Sequence, residues 1–153
     1  MKKRGFTLIE TLVYLALFAL IVGGVVASAY ALIETSGYNQ TASMLQEEQS
    51  FLLARFASTV ETAQSVEVPA AGAAGPALSV TAHDGTTVTM TGSGGTLVLA
   101  GQPLNNTNVS ASEVTFTHAS GPESMTLSFT LSAQTPEGRS VRRSASLTAY
   151  LHQ

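Results

Sequence analysis

Cysteine and tryptophan are absent from this 153-residue chain, and charged side chains make up only 11% of it. Without cysteine there are no disulfides, thiolate metal ligands or thiol nucleophile. The absence does not fix the redox compartment. Proline does not occur before Pro69, so nothing in the first third forces a break in a helix. The three histidines, His83, His118 and His152, fall on separate stretches without a ligand-spaced partner. His83-Asp84 precedes Gly85 and reads as turn chemistry rather than a metal or catalytic pair. Glu47 and Glu48 are adjacent, so on a helix they point to different faces and make a poor acid–base pair. No serine stands in a nucleophile elbow. Gly92, Gly94 and Gly95 sit between strand-like runs, not at the opening of a helix where phosphate would be held. Catalytic residues, a metal site and a cofactor are therefore not expected, and the chain reads as a non-enzyme.

What charge there is divides unevenly. Lys2, Lys3 and Arg4 form a basic leader. Beyond it, four basic residues face ten acidic ones, a formal charge near −6. An acidic body argues against non-specific nucleic-acid binding by charge. After the leader come Gly5, Phe6, Thr7, Leu8, Ile9 and Glu10, and then no charge until Glu34. As a helix, the uncharged run 11–33 spans about 34 Å, one hydrocarbon core. The leader predicts that the N-terminal end stays cytoplasmic. Gly23, Gly24 and Ser28 would let neighbouring helices approach closely.

Three assignments compete for this segment. One is a secretory signal cleaved after Ala27-Ser28-Ala29, although its apolar part is long and Glu10 stands at its head. The second is a plain membrane anchor with Glu10 reaching to the interface. The third rests on the order Lys-Lys-Arg-Gly-Phe-Thr-Leu-Ile-Glu followed by an unbroken apolar run. That order resembles the class III signal of type IV pilins and type II secretion pseudopilins. The resemblance covers residue 2 to about residue 26. It implies cleavage by prepilin peptidase between Gly5 and Phe6, N-methylation of Phe6, and retention of the apolar helix in the mature protein. It also implies partners: other pilin or pseudopilin subunits, an inner-membrane assembly platform and the lipid bilayer, with the C-terminal domain extracytoplasmic. Glu10 fits this scheme physically. A lone carboxylate in lipid costs a few kcal/mol, and so does a lone ammonium. Packed side by side, Glu10 of one subunit meets the Phe6 amine of its neighbour, each compensating the other and selecting one axial register. Glu10 is thus the expected assembly residue.

From Glu34 the helix is expected to continue to residue 67 with an apolar stripe at Tyr38, Leu45, Leu52, Phe56, Val60 and Ala63. Gln46, Glu47, Gln49, Arg55 and Glu61 fall on other faces, and Gly37 reads as a bend. Residues 68–76 hold Pro69, Gly72, Gly75 and Pro76 and read as a linker. Thereafter the period changes from 3.6 to 2. Leu78, Val80 and Ala82; Val88 and Met90; and Leu97 to Leu99 read as a meander turned at Asp84-Gly85 and at Gly92 to Gly95. Val114, Phe116 and His118 alternate next. Met125, Leu127, Phe129 and Leu131 follow, with serine and threonine on the other face. Ser120-Gly121-Pro122 and Pro136-Glu137-Gly138 turn the chain. The last strand carries Val141, Ala145, Leu147, Ala149 and Leu151, with Arg143 in phase. Six strands in one antiparallel sheet or two small ones are expected, covered by the helix stripe.

The division is therefore 1–5 leader, 6–33 membrane or filament-core helix, 34–67 amphipathic helix, 68–76 linker and 77–153 antiparallel β domain. This α+β layout is similar to the pilin family. The unbroken apolar segment, the lack of a cysteine pair and the lack of an acidic calcium loop resemble minor subunits, with the short strands closest to the J-type minor pseudopilins and related minor pilins. The alternative is a signal-anchored or secreted β domain acting as a binding module. Arg139, Arg142 and Arg143 cluster near the C-terminus, either as a solvated strand start or as a contact for an acidic neighbour or DNA.

Overall fold

The computed structural model describes residues 7–121 and 124–151. One helix, α1 (Leu8–Glu61), runs unbroken for 54 residues. It is followed by β1 (Ala63–Val68), β2 (Ala74–Gly75), β3 (Ala77–Ala82), β4 (Thr87–Ser93), β5 (Thr96–Leu99), β6 (Gln102–Pro103), β7 (Ser110–His118), β8 (Ser124–Gln134) and β9 (Ser140–Tyr150). All pairings are antiparallel and form two sheets, ordered β1-β3-β4-β5-β6 and β2-β7-β8-β9. The expected α+β class, one long helix on antiparallel sheet, is the observed one.

Among the described residues, the first half of α1 has no buried residue. Its large apolar side chains, from Leu8 to Ile33, are all exposed. Its second half buries Gly37, Thr41, Leu45, Leu52, Phe56 and Val60. These residues recur every four or seven positions and so share one face. That face packs on β8 and β9. It shares one core with Met125, Leu127, Phe129 and Leu131 of β8, Phe116 of β7, and Leu78, Val80, Met90 and Leu97 of the other sheet.

Several details differ from the sequence expectations. Helix α1 stops at Glu61, and residues to 68 form β1 instead of extending the helix to 67. Val66 and Val68 are β-branched, Pro69 follows, and β3 supplies a paired edge. Ala63 is buried as expected, but as a strand residue. Tyr38 is 52% exposed, because the stripe passes through Gly37 and the next residue is turned by about 100°. Gly37 is not a break. A Cβ there would lie 2.9 Å from both carboxylate oxygens of Glu137, so the Glu137 side chain of the β8–β9 turn rests over the glycine. Gln49 lies between Leu45 and Leu52, and its Oε1 is buried with no hydrogen-bond partner. The 68–76 linker also contains the two-residue β2, and nine strands replace six among the described residues. The Ser120-Gly121-Pro122 turn lies partly outside the described residues.

The outer face of the second sheet carries hydroxyls in register. Thr126 and Thr148 bond at 2.8 Å and Thr130 and Ser144 at 3.0 Å. This is the polar half of the alternation read from β8.

Gly92 marks where the two sheets meet. A Cβ built there would lie 2.7 and 2.8 Å from the two methyls of Val114. Valine is stiff at χ1 and cannot swing away. Gly92→Ala is expected to destabilise the domain by about 1–3 kcal/mol, and Val114→Ala is expected to give little rescue, because the nearest atom to the new Cβ is the Val114 Cβ, which alanine keeps. Denaturant melts of the single and double variants measure both.

The turn between β3 and β4 is held by Asp84, whose carboxylate accepts from the Thr86 hydroxyl and, at 2.9 Å, from the Thr86 amide. These bonds hold the Asp84 carboxyl below its ordinary 3.8. A depressed folded pKa gives stability that is present above the unfolded value and lost as pH falls through the folded one. Asp84→Asn, which carries no charge at any pH, is expected to melt slightly below wild type at neutral pH and to lack the small decline that wild type shows below about pH 4. Thermal melts between pH 2 and 7 show it.

Candidate functional site

The described chain begins at the head of α1. Thr7 is the N-cap, in extended conformation, and its hydroxyl oxygen accepts the Glu10 amide at 3.4 Å. Thr7 to Glu10 therefore has the spacing of a capping box, a signal readable from the sequence that the assembly argument did not use. Glu10 is the third residue of the helix, where unsatisfied amides favour negative charge. Its Oε1 also accepts from the Tyr14 hydroxyl at 3.5 Å, one turn further on. Tyr14 was not foreseen as part of this site. The carboxylate is thus placed by its own helix end and by a phenol. Gly5 and Phe6 lie outside the described residues.

Past Glu10 the surface of α1 is apolar and bare. The helix is long and apolar enough to cross a membrane, and no residue of its most apolar 18-residue window is buried. In a water-soluble domain such a surface would be packed away. Here it needs lipid or other apolar helices. Gly24 leaves a shallow recess with Ser28 and Ala29, and the Ser28 hydroxyl bonds back to the Gly24 carbonyl at 2.9 Å.

At the other end of the exposed segment, Glu34 forms an ion pair with Arg139 in the β8–β9 turn. With Glu137 lying over Gly37, this turn joins the β domain to the helix at the point where the apolar run ends. Arg142 and Arg143 do not join it. Both are exposed on β9.

The β domain does not bring the other candidate groups together. His83 is exposed, while His118 is buried with its Nδ1 2.9 Å from the Pro69 carbonyl oxygen. His152 lies outside the described residues. Glu48 accepts the Asn106 amide at 2.7 Å and Glu47 points elsewhere. An open groove of about 1080 Å³ runs between the helix near Gln40 to Glu47 and the end of β8, and among the described residues Glu47 is the only ionisable side chain lining it. No group of three or more histidine or carboxylate side chains converges among the described residues.

Residues 1–26 match the family model described as the prokaryotic N-terminal methylation motif. No curated protein and no solved structure matches the chain. The matched segment is the one that ends in the bare helix.

Proposed function

We propose that this chain, which carries the N-terminal methylation motif of type IV pilins and pseudopilins, is a structural subunit of a type IV pilus-like or type II secretion pseudopilus filament. The carrying observation is that this motif runs into a helix whose apolar first half leaves its large side chains exposed. Prepilin peptidase would cut between Gly5 and Phe6, and Phe6 would be N-methylated. The subunit would wait in the inner membrane, N-terminus inside and β domain outside, until it is drawn into the filament. There the apolar halves of many α1 helices form the core and the β domains form the surface. Packing of those helices supplies most of the holding energy. Glu10 paired with the neighbour's Phe6 amine supplies register.

A minor position in the filament is supported by an apolar segment without proline and by the lack of cysteine, as in the J-type pseudopilins and related minor pilins. Mass spectrometry of the mature N-terminus tests the assignment. A methylated chain beginning at Phe6 is expected. A chain beginning at Tyr30 would overturn it in favour of a secreted β-domain binding module.

A further inference from the structure

The two sheets have four edges among the described residues, and three are blunted. The edge β1 has two register irregularities against β3. The edges β2 and β6 are two residues long, with Pro76 directly after β2 and Pro103 inside β6. Irregular pairing, shortness and proline are the usual ways of making an edge unfit for further strands. The fourth edge is different. Strand β9 has 11 residues, pairs with β8 without a register shift, and contains no proline. Among the described residues no backbone group of β9 bonds to anything but β8. Arg142 and Arg143 stand near its start, on opposite faces, exposed and with no anionic partner among the described residues. They guard only that end. From Ser144 to Tyr150 the edge carries no charge.

The direction of β9 limits what can pair with it. Its start is fixed at Glu34 and Gly37 of α1 through Arg139 and Glu137. Further along, Leu147 is in register with Leu127 and Phe116, and Phe116 meets Phe56 of α1. Arg139 to Leu147 covers about 26 Å of strand, and Gly37 to Phe56 about 28 Å of helix. Strand and helix thus run side by side in the same direction. A symmetric β9–β9 pair of two copies would point their apolar helices in opposite directions. Two chains inserted the same way in one membrane cannot do that.

The geometry points to the β9 edge as a docking strand for an extended acidic segment of a different protein, which adds antiparallel as a fifth strand. Backbone bonds along β9 give affinity, and Arg142 and Arg143 select carboxylates near the C-terminal end of the incoming segment. The exclusion of a second copy rests on the membrane-anchored filament assignment; the open edge does not.

The test uses the full chain in detergent micelles and a labelled eleven-residue peptide of alternating valine and serine or threonine, with glutamates at its eighth and ninth positions. Fluorescence anisotropy is expected to show binding. N-methylation of alternate peptide amides, which keeps the charge, should abolish it. R142E/R143E should weaken it about tenfold or more, and a peptide with lysines in place of the glutamates should recover binding to that variant. Both arginines are exposed, so the variant should melt with wild type. The proposal is overturned if no binding is seen at millimolar peptide, or if N-methylation has no effect, which leaves only a charge contact. It is also overturned if phosphatidylglycerol vesicles displace the peptide and R142E/R143E no longer binds them, or if the peptide dissolves a concentration-dependent dimer. Cleavage is not needed for peptide binding. Mass spectrometry of the same preparation therefore reports separately on the filament assignment.

Discussion

Glu10→Ala is expected to insert in the membrane and be processed at the wild-type rate, yet enter filaments at least a hundredfold less. The proposed cleavage would leave an amine on Phe6 at the edge of the apolar region. Removing its carboxylate partner from a packed bundle costs about 3–5 kcal/mol, because the remaining charge stays buried. The structure adds a competing role that must be separated. Glu10 also sits at the third position of α1 behind the Thr7 cap, and losing a carboxylate there costs about 0.3–1 kcal/mol of helix stability. Thr7→Ala removes the cap at about 1 kcal/mol and leaves the Glu10 carboxylate in place. If Glu10 acts through its neighbour, Thr7→Ala assembles nearly as well as wild type while Glu10→Ala does not. Equal losses in the two variants would reduce Glu10 to a capping residue. Quantifying each variant in sheared filaments against its membrane pool gives the comparison.

Phe56→Ala is expected to cost the β domain about 3–5 kcal/mol, enough to loosen it from the helix at physiological temperature. Phe56 is fully buried, and its ring lies 6.2 Å from that of Phe116 at an interplanar angle of 42°. That tilted contact joins the upper half of α1 to β7, beyond the strands on which the helix lies. A cavity there removes the transfer energy of the ring and its partner's contacts together. Tyr38→Ala is the control. Tyr38 is a large aromatic on the same helix, but half of it faces water, and a change within about 0.5 kcal/mol is expected. Hydrogen exchange of the full chain in micelles distinguishes them. Amides of β7 and β8 should lose protection in Phe56→Ala and keep it in Tyr38→Ala.

The contrast between Phe56 and Tyr38 shows what periodicity can tell. Leu45, Leu52, Phe56 and Val60 are buried because they share a face and the following strands need a cover. Tyr38 was placed on that stripe by spacing alone. A face about 100° wide tolerates one residue of error, and Gly37 carries no side-chain signal at all. Its burial depends on Glu137, a hundred residues later. Ala63 was recognised as inward but assigned to the helix, since a single buried alanine fits either period. The strand there depends on pairing with β3. In β8, by contrast, apolar and hydroxyl residues alternate from Met125 to Ala133, and the observed burial follows them residue by residue.

At the candidate site the same division holds. The basic leader, the Gly-Phe step, Glu10 and the uncharged run were visible because they are local and contiguous. Thr7 as cap could have been found from its spacing to Glu10. Tyr14 could not, since a tyrosine one turn into an apolar helix is unremarkable until its hydroxyl is seen at the carboxylate.

By itself the sequence determined that this chain is a long bare helix followed by an alternating β domain, with its functional information at the N-terminus. Hydropathy, charge and period act over a few neighbouring residues, and the linear order records them directly. Only the tertiary structure decided that the helix ends at Glu61, that Gly37 and Gly92 are points of close approach, and that among the described residues β9 is left as an open edge. Each of these depends on which distant segment arrives beside it. That is set by packing the two sheets and the helix into one core, a condition no single stretch of sequence expresses.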